Sequence, residues 1–175
     1  MTNILLVIDM QNDFIDGTLG TAEAVQIVPR VVEKARQAAE AGTELWFTQD
    51  THTPDYANTQ EGRNLPVPHC VEGTHGWEIC SDLQPYVNAA HCVKKGAFGA
   101  AALANRLQNR TDIARIELCG LCTDICVISN ALLLNAFLPE VPISVDAACC
   151  AGVTPDSHQT ALNAMKMCQI QITNE

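Results

Sequence analysis

The sequence has few basic residues and no long hydrophobic run. Its 175 residues include 10 Lys and Arg against 20 Asp and Glu, which gives a formal net charge of -10. Such a surplus of negative charge disfavours binding to nucleic acids and to anionic membranes. No apolar stretch approaches the ~18 residues that a membrane-spanning helix requires. We therefore expect neither nucleic acids nor membranes among the partners of this protein.

The sequence also lacks a secretory signal and a disulfide framework. Its first apolar segment, Ile4 to Ile8, has no basic region before it, and its cysteines number nine, which is odd. Both features favour reduced thiols and a cytoplasmic location. One C-x-x-C pair is present, Cys119 with Cys122. Because Cys119 is expected inside a strand rather than at a helix N-terminus, a thioredoxin-like redox role is disfavoured. A four-cysteine zinc knuckle would need a second such pair.

Apolar strand-like runs alternate with helical patterns along the whole chain. This alternation is typical of a parallel sheet covered by helices on both faces. We predict one domain over residues 1–175, with a three-layer α/β/α architecture, a mainly parallel sheet of about six strands and a Rossmann-like topology. The predicted strands are 3–9, 44–49, 89–94, 114–119, 143–145 and 169–173. The predicted helices are 29–41, 100–108, 123–137 and 156–167, with a further helical start at 22–26.

Chemically capable side chains follow several of the predicted strands. Asp9, the pair Asp50 and His52, Lys95 and the turn before Cys126 each come at a strand end. Ligands of open parallel sheets bind outside the carboxyl ends of the strands. We therefore expect a carboxylate, a metal-binding pair, an ammonium and a thiol at one edge of the sheet.

The segment around Cys126 predicts a buried strand, a glycine-containing turn at Gly120 and a helix. Thr123 or Asp124 is the expected N-cap of that helix. Cys126 then lies in the first helical turn, where free amides and the helix dipole favour a thiolate. This is a suitable position for a nucleophile, although a free cysteine is also a common buried apolar residue.

The other strand-end residues can support such a nucleophile. Asp9 can accept the proton of the Cys126 thiol, and the ammonium of Lys95 is expected to lower the pKa of that thiol. Backbone amides at the Cys126 turn can hold the oxyanion of a tetrahedral intermediate. Taken singly, Asp9 is also compatible with a turn cap and Lys95 with a solvated surface residue.

The long polar segment from Thr51 to Pro85 contains a candidate metal site. Asp50 and His52 are two residues apart, so an extended chain turns both side chains to the same side. His69 follows in the same segment, and Glu61 lies between them. Such a set suits zinc, iron or manganese at an open catalytic site. Histidines that cap turns in a polar loop are the alternative interpretation.

Three motifs resemble the isochorismatase-like cysteine hydrolase superfamily and, within it, the nicotinamidase branch. They are Val7-Ile8-Asp9-Met10-Gln11-Asn12-Asp13-Phe14, Val93-Lys94-Lys95-Gly96-Ala97-Phe98 and Gly120-Leu121-Cys122-Thr123-Asp124-Ile125-Cys126-Val127. The resemblance covers nearly the whole chain. It implies an isochorismatase-like fold in which Asp9 is the catalytic base, Lys95 the catalytic lysine and Cys126 the nucleophile.

The resemblance also implies details of the site. It places a cis peptide bond between Leu121 and Cys122 and an oxyanion hole at the amides of Cys122 and Cys126. It assigns substrate contacts to Phe14 and Leu121. The segments Gln49-Asp50-Thr51-His52 and Pro68-His69-Cys70-Val71 resemble the metal motifs of the branch, and Glu61 suits the variant that uses a glutamate ligand.

The chain departs from the branch before the predicted metal-binding His69. Some members carry an aromatic residue there, whereas this sequence reads Leu65-Pro66-Val67-Pro68. The implied activity is hydrolysis of a small carboxamide, foremost nicotinamide to nicotinate and ammonia through a thioester, with a divalent metal, foremost zinc. A homo-oligomer is also implied. The alternatives are a metal-free amidase, an isochorismatase acting on another substrate, and a non-catalytic partner or redox protein.

Overall fold

The computed structural model describes residues 1–175 and contains one six-stranded sheet. Its strand order is β3-β2-β1-β4-β5-β6, and every neighbouring pair is parallel. This arrangement confirms the predicted α/β fold. The strands are β1 (Thr2–Ile8), β2 (Glu44–Asp50), β3 (Cys92–Lys95), β4 (Ile113–Leu121), β5 (Ile143–Ala151) and β6 (Gln171–Thr173).

Six α-helices accompany the sheet. They are α1 (Asn12–Ile15), α2 (Ala22–Glu40), α3 (Gln60–Asn64), α4 (Ala101–Leu107), α5 (Ile128–Phe137) and α6 (Pro155–Met167). Right-handed crossovers place α2 on one face of the sheet and the later helices on the other, because the chain reverses its direction across the sheet after β3. In agreement, α4 and α6 both pack against α5, whereas α2 packs against the central strands. None of the helices combines the length and apolar character needed to cross a membrane.

The central strands are apolar because both faces of the sheet are covered. In β1 the five residues from Ile4 to Ile8 are all buried, and Ile116 and Leu118 of the adjacent β4 are fully buried as well. β-branched and leucine side chains fill this space efficiently and supply most of the hydrophobic stabilisation. The core therefore fixes the strand ends from which the polar site residues project.

Helix α2 is longer than the sequence predicts. We expected Pro29 in the first turn of a helix, but it lies inside one continuous helix from Ala22 to Glu40. Proline is disfavoured there because it removes one backbone hydrogen bond. Pro29 is exposed, so water can satisfy the freed carbonyl, while Ile27 and Val31 on either side of it are buried in the core. Burial of the apolar stripe therefore outweighs the local penalty.

Strand boundaries also differ from the predictions. β5 extends to Ala151, well beyond the predicted end at Val145, and its second half is buried despite a composition of small residues with weak strand preference. β3 begins at Cys92 because the preceding residues Ala89–His91 form a 3₁₀ turn. The cap of α6 is Thr154 rather than Asp156 or Ser157, because Pro155 occupies the first helical position.

Gly120 allows β4 to pass unusually close to β1. Its φ is +118°, and a Cβ at this position would lie 2.1 Å from the carbonyl oxygen of Ile8. Gly120→Ala is therefore expected to lower the free energy of unfolding by about 2–4 kcal/mol, measured by urea denaturation. Gly42→Ala is the matched control, since Gly42 also has a positive φ of +73° but nothing lies within 4 Å of its Cβ position. Equal losses in the two variants would contradict a role for the contact with Ile8.

Candidate active site

Three strands bring a carboxylate, an ammonium and a thiol together. Lys95 Nζ lies 2.7 Å from Asp9 Oδ2 and 3.5 Å from Cys126 Sγ. The exposed fractions of Asp9, Lys95 and Cys126 are 0%, 6% and 5%. At these distances in a buried site, the charges interact strongly because little water screens them. The expected convergence of these three residues is therefore present in the structure.

Asp9 is held in an unusual conformation directly after β1. Its φ is +44°, in the left-handed region that a non-glycine residue rarely adopts. The hydroxyl of Thr48 in β2 donates to Asp9 Oδ1 at 2.6 Å and accepts from the Asp9 amide at 3.2 Å. These two bonds orient the carboxylate, and its other oxygen, Oδ2, faces Lys95.

The electrostatics of Asp9 and Cys126 favour one shared proton. Burial raises the pKa of Asp9, while the charge of Lys95 opposes part of this effect. Burial also raises the pKa of Cys126, and the negative charge of Asp9 raises it further. Lys95 acts to lower the pKa of the thiol, as expected, but desolvation exceeds the attraction of the ammonium, so the pKa of Cys126 lies above its usual range. A proton lost by the thiol is therefore best accommodated on Asp9.

Lys95 keeps its charge in this buried setting. Burial lowers its pKa, but the carboxylates of Asp9 and Asp50 and the group at Cys126 together hold that pKa above the usual range of lysine. Lys95 Nζ also lies 3.2 Å from Asp50 Oδ1. One ammonium therefore joins the thiol site to the candidate metal site.

The turn before Cys126 differs in detail from the expected helix start. The peptide bond between Leu121 and Cys122 is cis, as the resemblance implied. The Cys122 carbonyl accepts from the amides of Ile125 and Val127, the second of which closes a wider π-helical turn before α5. Cys126 is the fourth residue of this turn, so the helix delivers its thiol to the edge of the sheet.

The predicted N-caps of this helix have other partners. No side chain caps the π-helical turn. The Thr123 hydroxyl lies 2.7 Å from His158 Nδ1 in α6, and the Asp124 carboxylate accepts from the amide of Val153 at 3.1 Å. Long-range contacts have therefore replaced the local cap, and they attach the turn that carries Cys126 to α6 and to the loop before it.

The C-x-x-C pair does not have the features of a redox site. Cys119 is fully buried within β4, and all nine cysteines are free. Burial raises the pKa of Cys122 to about 12. A reactive redox thiol needs a lowered pKa and access to solvent, so these features support the expectation that the pair is not redox-active.

Four predicted ligands form a compact cluster beside the thiol site. Asp50 Oδ2 lies 2.9 Å from His52 Nε2 and 3.5 Å from His69 Nε2. Glu61 Oε1 lies 3.7 Å from His52 Nε2 and 3.6 Å from His69 Nε2. Ligands at about 2.0–2.2 Å from a tetrahedral metal would be about 3.3–3.6 Å from each other. The spacing and the oxygen and nitrogen chemistry of this set therefore fit zinc, and they also suit iron or manganese.

Neighbouring groups orient these ligands. His69 Nδ1 lies 2.9 Å from the carbonyl of Val67, which leaves Nε2 directed into the cluster. The Gln11 side chain donates to the carbonyl of Asp50 and accepts from its amide. Burial alone would raise the pKa of Asp50, but hydrogen bonds to the two histidines hold it well below its usual range. Asp50 is thus an ionised, fixed ligand candidate, as metal binding requires.

A cavity of about 530 Å³ joins the thiol and the candidate metal site. Phe14 contributes to its wall, as expected, whereas Leu121 is fully buried in the core and does not line it. The substrate contact assigned to Leu121 therefore has no support in this geometry. Apart from Cys126 and the four candidate ligands, the lining consists of neutral residues: Phe14, Leu19, Thr59, Gln60, Asn64, Leu65, Gly96, Ala97, Phe98, Cys122 and Ile125.

Sequence reasoning missed three polar residues that support the site. Thr48 holds Asp9, Gln11 holds the backbone of Asp50, and Asn130 bonds to the carbonyl of Cys126 at 2.8 Å. Two of them had a readable signal. Thr48 lies two residues before Asp50 in the same strand, and Asn130 lies four residues after Cys126, one helical turn further along the chain, so each pair is expected to share a face.

Comparisons with known proteins agree with this geometry. A family model described as an isochorismatase domain matches residues 3–175. The crystal structure of a pyrazinamidase of Pyrococcus horikoshii in complex with zinc is similar, with 29% identity, a TM-score of 0.84 and full coverage of both chains. A nicotinamidase/pyrazinamidase structure from Bacillus subtilis has the same identity and TM-score, with 99% and 100% of the two chains covered. The nicotinamidase/pyrazinamidase of Mycobacterium tuberculosis is 25% identical over 96% of each chain.

Proposed function

Because the chain belongs to the isochorismatase family, we propose that it is a cysteine-dependent amidohydrolase of small carboxamides, foremost a nicotinamidase. It would convert nicotinamide and water into nicotinate and ammonia through a thioester. One observation carries this proposal: Lys95 Nζ contacts both Asp9 and Cys126 at one end of a cavity whose wall includes the four-donor cluster. The names of the similar nicotinamidases and pyrazinamidases support it.

In the first half of the reaction, Asp9 accepts the Cys126 proton while the sulfur attacks the amide carbon. The ammonium of Lys95 stabilises the ionised pair, since it lies within 3.5 Å of both groups. We assign the oxyanion to the amides of Cys122 and Cys126, where each donor is worth about 3 kcal/mol in comparable enzymes. Asp9 then returns the proton to the leaving nitrogen. Ammonia departs, and the acyl group remains on sulfur as a thioester.

In the second half, water hydrolyses the thioester. Asp9, again a carboxylate, accepts a proton from the attacking water, and the carbon–sulfur bond breaks as the second tetrahedral intermediate collapses. The proton returns to the Cys126 sulfur, and the acyl group leaves as a carboxylic acid. Each turnover therefore consumes one water and regenerates both Asp9 and Cys126.

The metal would be held by Asp50, His52 and His69, with Glu61 as the fourth ligand. When bound, it supplies a Lewis acid that can ligate a pyridine nitrogen of the substrate. Lys95 pairs with Oδ1 of Asp50, and the other oxygen of that carboxylate, Oδ2, is directed to the two histidines. A metal held by these four side chains would thereby help to orient an aromatic amide relative to Cys126.

The cavity wall offers no basic side chain that could pair with a carboxylate of a substrate. Neither Lys nor Arg lines it, and apart from Cys126 and the four candidate metal ligands its residues are neutral. A carboxylate placed against this part of the wall would lose its hydration without gaining an ion pair to a side chain. This supports an uncharged amide over the anionic substrate of an isochorismatase.

Ammonia release from nicotinamide, pyrazinamide and aliphatic or carbamoyl amides tests the proposal. We expect the highest kcat/KM for the two heteroaromatic amides. Removal of the metal with a chelator should lower kcat/KM for these amides by about 100-fold, because the contact between metal and substrate and the Lewis acid are both lost. Zinc should restore the activity, and metal analysis of the untreated protein should approach one ion per chain.

The variant Glu61→Gln tests whether Glu61 is a ligand of the proposed metal. It preserves the shape of the side chain but removes a charged ligand, so zinc should bind about 10–100-fold more weakly in a competition assay with a chromophoric chelator. Glu72→Gln is the control, because Glu72 pairs with the exposed Lys94 outside the cluster.

Less than about a tenth of an ion per chain, together with chelator-insensitive activity, would identify a metal-free amidase instead. No ammonia from any amide would favour the non-catalytic alternative.

The family membership also leads us to propose a homo-oligomer located in the cytoplasm. The net charge of -10 and the nine free cysteines are compatible with a reducing compartment. Sedimentation of the purified protein tests the first proposal, and fractionation of cells tests the second.

A further inference from the structure

The loop of residues 96–99 forms one wall of the cavity, but its backbone makes few hydrogen bonds. It connects β3, which ends at Lys95, to α4, and it contains two glycines. Its Gly96, Ala97 and Phe98 line the cavity, and the Phe98 side chain is 47% exposed. Within these four residues, the Phe98 carbonyl is the single backbone group that is hydrogen-bonded. The donor of this bond is the side chain of Asn130.

Asn130 is a fully buried side chain with three hydrogen bonds to two different parts of the site. Its Nδ2 donates to the Phe98 carbonyl at 3.1 Å and to the Cys126 carbonyl at 2.8 Å. Its Oδ1 accepts from the amide of Ala100 at 2.8 Å. The side chain therefore joins the helix of the proposed nucleophile to both ends of the wall segment from Phe98 to Ala100.

Burying a side-chain amide costs free energy unless its donors and acceptor are paired, because each unpaired group loses the hydrogen bonds that water would supply. Asn130 satisfies both of its N–H groups and its oxygen within the site. An apolar residue would fill the same space without joining the two segments. The arrangement therefore fixes a distance between the wall and the thiol rather than merely filling the core.

We propose that Asn130 is a positioning residue that sets the width of the cavity between Phe98 and Cys126 and thereby determines affinity for ring-bearing amides. This inference rests on the proposed amidase function. Phe98 is the group through which Asn130 acts: held in place, its ring forms the wall against which a planar heteroaromatic substrate packs. Asn130 itself does not line the cavity, so it does not touch the substrate.

Steady-state kinetics of Asn130→Ala and Asn130→Asp test this role. Asn130→Asp has nearly the same shape and keeps the acceptor for Ala100, but it loses both donors. Both variants should raise KM for nicotinamide about tenfold, the equivalent of one or two lost hydrogen bonds, and change kcat less than about threefold. Asn135→Ala is the control, because Asn135 is a half-buried asparagine of the same helix without a side-chain hydrogen bond.

A double-mutant cycle with Phe98→Ala separates positioning from general destabilisation. If Asn130 acts through Phe98, Asn130→Ala should raise KM about tenfold in the wild-type background and less than about twofold in the Phe98→Ala background. Effects on KM that multiply in the double variant would overturn the proposal. A fall in kcat with unchanged KM would also overturn it.

Limited proteolysis supplies a readout that does not require amidase activity. Chymotrypsin cleaves after phenylalanine, and local opening exposes a loop to cleavage. Asn130→Ala and Asn130→Asp should accelerate cleavage after Phe98 at least about tenfold, while Asn135→Ala should not. Unchanged cleavage, or global unfolding of both Asn130 variants, would overturn the proposal. Cleavage that accelerates as expected in a protein without amidase activity would leave the positioning role standing and refute the proposed function.

Discussion

Replacing Cys126 with alanine is expected to reduce ammonia release by at least about 10,000-fold, because no other group in the site can form the thioester. The fold should remain intact. The sulfur is a single atom at the edge of the core, and the hydrogen bonds of the turn involve the backbone of Cys122 rather than the Cys126 thiol. The measurement is kcat for nicotinamide, with the melting temperature and zinc content determined on the same preparation.

Cys168→Ala is the matched control for this prediction. Cys168 is exposed directly after α6 and does not line the cavity, and its thiol has no assigned role. Activity should stay within about twofold of the wild type, as for most surface substitutions. Appreciable ammonia release by Cys126→Ala would refute the assignment of the nucleophile, as would equal losses in the two variants.

Replacing Asp9 with asparagine is expected to lower kcat by about 1,000- to 10,000-fold, the usual contribution of a positioned acid–base group and of the activation that it gives to a nucleophile. The amide keeps the shape of the carboxylate and can still bond to Thr48, but it cannot accept the thiol proton. Lys95 retains Asp50 as its partner at 3.2 Å. The loss should therefore appear in kcat for every amide rather than in KM for one of them.

The stability of Asp9→Asn provides an internal check on this interpretation. Burial raises the pKa of Asp9, so its ionised form costs free energy in the folded state at pH values above the pKa of the unfolded chain. Removing that charge relieves this cost but also takes from Lys95 its nearest carboxylate, at 2.7 Å, so the two effects oppose each other and the melting temperature at pH 7 should change little. Asp16→Asn, an exposed carboxylate at the end of α1, should change neither property. A large fall in melting temperature would instead indicate that Asp9 serves the fold.

The sheet could be predicted because its strands are short apolar runs separated by helical patterns. β1 and β4 are readable in this way, since their buried residues are mostly branched aliphatics. The second half of β5 was not predictable, because its alanines and cysteines have no strong strand preference, and it joins the sheet where Cys150 and Ala151 pair with β4. Pro29 was misinterpreted for a related reason: burial of Ile27 and Val31 overrides the local rule.

Which residues meet in the candidate site could be predicted from their side-chain chemistry and from their positions in the motifs. Asp9, Lys95 and Cys126 meet because parallel strands end at a common edge, which the order of the motifs already implies. The four candidate metal ligands also meet, although the backbone path of residues 51–91 has no periodic signal. The net pKa of Cys126 was beyond sequence reasoning, because the balance between burial and the charge of Lys95 depends on depth in the fold.

Polar residues that only support the site were harder to recognise. Thr48 and Asn130 carry no chemistry of their own, and their importance follows from the groups that they contact. Leu121 shows the opposite error, since its place in a motif suggested a substrate contact but its side chain lies in the core. Proximity in a motif therefore does not fix the direction of a side chain, which depends on the strand pleat and the turn that follows.

Alkylation of the protein with limiting iodoacetamide tests the central claim most directly, when it is carried out in the Cys168→Ala background to remove the exposed thiol. Residual ammonia release and the modified fraction of each cysteine are measured together, the latter by mass spectrometry of peptides. The account predicts that activity falls in direct proportion to modification of Cys126, that the other thiols stay unmodified, and that substrate slows both changes. Full activity in protein whose Cys126 is completely alkylated would contradict it.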